Sequence, residues 1–116
     1  MMSKTETLQI EGKALAEAWA RTMPMVLNSS EKVEVKPDEA EANAVRVHII
    51  VAGHSMYSFD FKCTYVDSRE VDVELVDVER DNVSVDERTG IIQTMVDDYV
   101  RHIHECAQRL HAVTSG

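Results

Sequence analysis

The stretch that decides the fold lies in the middle of the chain: YSFDFKCTY, residues 57–65. Apolar and polar side chains alternate along it, and this period of two predicts a half-buried β-strand. Four of the six aromatic residues of the chain share its apolar face, namely Tyr57, Phe59, Phe61 and Tyr65. We expect this face to form core beneath the helices, and a dimer surface or an apolar-ligand pocket is the alternative.

The same period of two recurs on both sides of this strand. EKVEVK (31–36) and AVRVHIIVA (44–52) precede it, and VDVELVDVE (71–79) follows it. In the last run the alternation slips by one residue between Leu75 and Val76, which predicts a β-bulge or a sharp change of twist near residues 75–76. Short turns separate the runs, and VSV (83–85) adds a short edge segment. We therefore expect an antiparallel meander of four to five strands.

Helical patterns flank the strands. KALAEAWARTM (13–23) is rich in strong helix formers, and Pro24 is expected to end or kink that helix. TETLQI (5–10) before it fits either a short strand or the first turn of a helix; a short strand that Gly12 ends is the favoured interpretation. A second helix is predicted over residues 86–113, with Ser84 and Glu87 as its capping box. Its apolar stripe has spacings that alternate between four and three: Ile92, Val96, Tyr99, Ile103, Cys106, Leu110 and Val113.

These elements predict a single α+β domain over residues 1–116, in which the sheet is packed by an N-terminal helix and a long C-terminal helix. Residues 1–4 and 114–116 are expected to be frayed.

The segment VRHIHEC (100–106) combines residue types that bind transition metals. On a helix, His102 and His104 are separated by about 200° and cannot share one ion. His102 and Cys106, one turn apart, are the weak metal candidates, with His48 or His54 as further partners. Because Cys106 lies on the apolar stripe, a buried structural cysteine is the favoured interpretation. We predict no metal and no cofactor.

The composition is acidic, with a net charge of −9 at pH 7. Phosphate backbones and anionic membranes are bound by clustered Lys and Arg, so neither nucleic acid nor membrane is an expected partner. The run of carboxylates from Asp67 to Asp81 is interpreted as a solvated strand face, with docking of a basic protein as the alternative. No signal-peptide pattern opens the chain and its two cysteines form no paired motif, so we expect a cytoplasmic protein.

No catalytic motif appears, which favours a non-enzymatic interaction or assembly module that acts as a homodimer. The alternatives are a binding protein for a small apolar ligand held between sheet and helices, a metal-dependent enzyme built on His102 and Cys106, and an acidic mimic of nucleic acid. The residues expected to carry the interaction are Tyr57, Phe59, Phe61, Tyr65, Tyr99, Ile103 and Leu110.

Overall fold

Five antiparallel strands form one sheet, in the order in which they occur along the chain. The structure, a computed structural model, describes residues 10–27, 31–51, 57–67, 70–80, 83–84 and 90–114. Its elements are α1 (Gly12–Val26), β1 (Glu31–Pro37), β2 (Ala44–Val51), β3 (Tyr57–Tyr65), β4 (Val71–Arg80), β5 (Val83–Ser84), α2 (Gly90–Arg109) and α3 (His111–Thr114). The predicted α+β class and the antiparallel meander are confirmed.

The alternation of side chains gives the sheet two different faces. The inner face lies under the helices: α1 packs on β1 and β2, α2 packs on β4, and the two helices contact each other. Its centre is occupied by fully buried Val47, Ile49, Phe59 and Phe61. The outer face carries partly or fully exposed polar side chains such as Arg46. The protein is therefore a two-layer structure within its described ranges.

The predicted bulge is present in β4. Leu75 pairs with Phe61 and Asp77 pairs with Asp60, so Val76 is the extra residue. Because one residue is added, Val78 returns to the inner face and is fully buried, whereas Val76 is 43% exposed. The bulge therefore absorbs the slip in the alternation and keeps both halves of the strand in contact with the core.

Helix α1 is longer than the sequence predicts. It begins at Gly12, whose φ of +60° is favoured only for glycine. It continues past Pro24 to Val26, so the prediction that it ends at Met23 is wrong, and the alternative of a kink there is not tested. Pro24 lies in the last turn, where its missing N–H removes a single bond. The Leu27 N–H donates to the Met23 carbonyl at 3.2 Å and closes that turn.

Helix α2 is shorter than the sequence predicts. It ends at Arg109, and the short α3 follows after Leu110, so the prediction of one helix through residue 113 is wrong. The Leu110 N–H is shared between the carbonyls of Cys106 and Ala107, at 3.1 and 3.2 Å, which marks a tightened turn. Thr114, predicted to be frayed, is fully buried.

Several other predictions fall on residues that the structure does not describe. These are the strand at residues 5–9, the frayed ends at 1–4 and 115–116, His54, and the helix start at 86–89 with Glu87 of the capping box. Ser84, the other residue of that box, lies in β5 and pairs with Glu79.

Candidate functional site

The histidine and cysteine of the weak metal candidate face different surroundings. The His102 ring is partly exposed, and its Nδ1 lies 2.9 Å from Oε1 of Glu105. Cys106 is fully buried in the core. Within the described ranges, no group of three or more His, Cys, Asp or Glu side chains is arranged to hold a metal ion. The favoured interpretation of Cys106 as a core residue is consistent with this burial.

The two cysteines, Cys63 on β3 and Cys106 on α2, are free thiols buried in the core. Burial raises the pKa of Cys106 to about 12. Burial also raises the pKa of Cys63, and the neighbouring Cys106 raises it further, because two thiolates would repel each other. The thiolate is the reactive form of cysteine, so neither thiol is prepared for nucleophilic chemistry.

We expect both thiols to resist alkylation in the folded protein. Iodoacetamide at pH 8 should label Cys63 and Cys106 at least about 100-fold more slowly in the native than in the urea-unfolded chain, because labelling must wait for opening of the core. Mass spectrometry of timed samples measures both rates. Rapid native labelling of Cys106 would show instead that its thiol is accessible.

The structure places six of the seven predicted interaction residues in the core. Tyr57 is partly exposed, and the buried ones are Phe59, Phe61, Tyr65, Tyr99, Ile103 and Leu110. Phe59 and Tyr99 pack together with their ring centroids 5.1 Å apart. Trp19 packs edge-on against Tyr65, and its indole N–H donates to the Tyr65 hydroxyl at 3.1 Å. The six buried side chains pack the helices on the sheet within one chain, whereas Tyr57 keeps part of its surface exposed.

The outer face carries polar side chains in close pairs. Nδ1 of His48 lies 2.6 Å from Oδ1 of Asp60 on the neighbouring strand. Nζ of Lys62 donates to Oε1 of Glu41 at 2.7 Å. A shallow cavity of about 250 Å³ is lined by Glu34, Lys36, Arg46, His48 and Asp60. Because positive and negative groups alternate around it, the cavity selects neither a cation nor an anion.

The Asp38 side chain links the β1–β2 connection to strand β2 by hydrogen bonds. Its carboxylate accepts a bond from Nε of Arg46 at 2.8 Å and from the N–H groups of Ala40 and Glu41 at 3.0 Å. The hydrogen bond from Arg46 is the main reason why the pKa of Asp38 is lowered to about 2. The carboxylate therefore stays ionised in mild acid, and these bonds are lost only as the pH falls towards 2.

Strand β1 forms one edge of the sheet. Its register with β2 pairs Glu34 with His48, and the Asp38 N–H donates to the Ala44 carbonyl at 3.1 Å. In an antiparallel ladder the N–H and C=O groups of successive residues point to opposite sides of the strand. Those of the even-numbered residues of β1 therefore bond to β2, and those of Val33 and Val35 point away from it. No strand of the described residues pairs with this edge.

Strand β4 forms most of the opposite edge. The Val66 N–H donates to the Glu70 carbonyl at 2.9 Å, so the same alternation directs the backbone groups of Val71, Val73 and Leu75 outward. In the described part of the chain, only the two-residue β5 pairs beside β4, at Glu79 and Arg80. Residues 71–75 therefore form an open edge, in the sense that no other described strand pairs with them.

Sequence reasoning missed these edges, although two signals for them were present. A meander leaves its first and last long strands at the edges, and Pro37 at the end of β1 is typical of an edge strand. Which backbone groups point outward depends on the register, and the sequence alone does not determine it.

No protein-family model, curated protein or solved structure matches the chain. Neither of the longer helices in the described ranges has both the length and the apolar character needed to cross a membrane. Function must therefore be inferred from the residues alone, and in particular from the two edges that no described strand covers.

Proposed function

We propose that the protein is a non-enzymatic interaction module that forms a homodimer through the β1 edge. The observation that carries this proposal is the outward direction of the Val33 and Val35 backbone groups, which no described strand satisfies. Pairing of β1 with a second copy would join the two sheets into one, and closed twofold pairing is the commonest form of self-association.

The charges of β1 are self-complementary in one register. If two β1 strands pair antiparallel about Val33, each Lys32 lies directly opposite Glu34 of the other copy, and about six backbone hydrogen bonds form. Lys32 and Glu34 are both exposed on the outer face. Centring the pair on Val35 would place Pro37 opposite Val33, where Pro37 has no N–H to donate. The register about Val33 is therefore favoured.

The β4 edge is unsuited to self-pairing. Its exposed outer-face side chains near the open segment, Asp72 and Glu74, are both acidic, so symmetric pairing of β4 would bring like charges together. Strand β1 carries two lysines and two glutamates and is neutral. A cytoplasmic location is part of the proposal and is supported by the free thiols of Cys63 and Cys106, the state that a reducing compartment maintains.

Charge exchange on β1 tests the proposal. An edge-to-edge contact is small, so we expect a weak dimer that is populated at roughly 100 µM and dissociates on dilution. Lys32→Glu places like charges opposite each other twice and should weaken the dimer about tenfold or more. The double variant K32E/E34K restores opposite charges and should restore the dimer. Sedimentation equilibrium between 5 and 500 µM, taken as rough limits, measures all three proteins.

Lys13→Glu is the matched control, because it makes the same charge change on the exposed side of α1. This variant should dimerise like the parent protein. A parent protein that remains monomeric throughout the concentration range would contradict the proposal. So would a K32E/E34K protein as weak as K32E, because the contact would then not involve this register.

A further inference from the structure

We infer that the open edge of β4, residues 71–75, binds an extended basic peptide segment in which apolar residues alternate with lysine or arginine. This goes beyond the homodimer, because it uses the opposite edge of the sheet and a different partner. Failure of the β1 dimer would leave it standing, and its own failure would leave the dimer standing.

The backbone of the β4 edge provides hydrogen-bond donors and acceptors for the peptide. The outward N–H and C=O groups of Val71, Val73 and Leu75 are spaced as in any strand and match those of an added strand. Recognition by strand addition obtains its affinity from such main-chain hydrogen bonds, and its specificity from alternate side chains.

The side chains of the edge define which segment fits. On the inner side Val73 and Leu75 are only partly buried, although they pack against the core. An added strand would place its own inward side chains beside them, and these should be apolar. On the outer side it would meet the exposed carboxylates of Asp72 and Glu74. The outward side chains of the partner should therefore be basic.

The bulge limits the length of the contact. At Val76 the ladder shifts by one residue, and beyond it β5 already pairs with Glu79 and Arg80. A regular added strand can therefore follow β4 over residues 71–75. Within that segment it would place two basic side chains opposite Asp72 and Glu74, and three apolar side chains opposite Val71, Val73 and Leu75.

Fluorescence anisotropy with designed peptides tests this inference. The probe is a labelled peptide Gly-Ser-Val-Lys-Val-Lys-Val-Ser-Gly, and we expect a Kd on the order of 100 µM at low salt, weakened about fivefold or more at 0.3 M salt. The same peptide with glutamates in place of lysines should not bind. A third peptide, with prolines in place of valines, keeps the charge but cannot form a strand, and it should bind at least about tenfold more weakly.

Protein variants locate the contact. The double change D72K/E74K should weaken binding about tenfold or more. E11K/E17K, at two exposed carboxylates at the start of α1, changes the net charge equally and should bind like the parent. Val73→Pro removes an outward N–H without removing a bond of the sheet itself, and it should also abolish binding. The Lys32→Glu protein should bind normally, since β1 is not involved. Equal binding of the lysine and proline peptides, or undiminished binding by D72K/E74K, would overturn the inference. So would the absence of binding at about 1 mM peptide.

Discussion

Replacing Val78 by aspartate should prevent folding, whereas the same replacement at Val76 should be tolerated. The two valines are two positions apart on β4, and a strand without a bulge would place them on the same face. The bulge separates them, so that Val78 is fully buried and Val76 is 43% exposed. A carboxyl group at Val78 would lose the packing of the valine and enter the core without a partner, at a cost of more than about 4 kcal/mol. Domains of this size have total stabilities of about 5–15 kcal/mol.

Aspartate at Val76 should cost about 1 kcal/mol or less, chiefly because of its poor strand propensity. Urea unfolding followed by circular dichroism measures both variants. If V78D does not accumulate, Val78→Ala and Val76→Ala make the same comparison, with expected losses of about 2 and 0.5 kcal/mol. Similar losses at the two positions would show that the extra residue of the ladder is not Val76.

Phe59→Ala should lower the free energy of unfolding by about 3–5 kcal/mol. The Phe59 side chain is fully buried at the centre of the inner face, and its ring packs against Tyr99 of α2 at a centroid distance of 5.1 Å. The change would create a cavity between the sheet and α2, where two layers meet. It would also remove an aromatic contact that is worth about 1 kcal/mol beyond its buried area.

Tyr57→Ala on the same strand is the control for Phe59. Tyr57 is partly exposed, and the Arg80 guanidinium lies 5.9 Å from its ring centroid. Its loss should cost about 1 kcal/mol. If Tyr57→Ala lowered the free energy of unfolding as much as Phe59→Ala, burial would not explain the contribution of Tyr57 to stability.

The sequence predicts the sheet better than the ends of the helices. Alternation over residues 57–65 and 71–79 identifies strands, faces and the bulge, because each of these depends on the local period of two. At the end of α2, the Leu110 N–H is shared between two carbonyls, and this tightens the last turn. The sequence does not reveal this, because the spacing from Cys106 to Leu110 on the apolar stripe is the same whether the helix continues or tightens. Periodicity therefore predicts which side chains are buried more reliably than where a helix stops.

The proposed interaction edges were harder to predict than the fold. Aromatic enrichment is typical both of interfaces and of cores, and in this chain the aromatic side chains on β3 are mostly used to pack the helices. The open edges are formed by backbone groups, which every residue type carries, so no residue type marks them. The backbone hydrogen bonds of the ladder, such as those from Asp38 to Ala44 and from Val66 to Glu70, show which backbone groups point outward.

Hydrogen exchange of single backbone amides tests the β1 homodimer most directly. On β1, the amides of Glu34 and Lys36 bond to β2, whereas those of Val33 and Val35 point away from every described strand and would bond to the second copy in the proposed dimer. By NMR, we expect the Val33 and Val35 amides to exchange about fourfold more slowly at roughly 1 mM than at 20 µM protein, as the monomer fraction falls, while Glu34 and Lys36 stay protected at both concentrations. Exchange at Val33 and Val35 that is fast and independent of concentration would contradict the account.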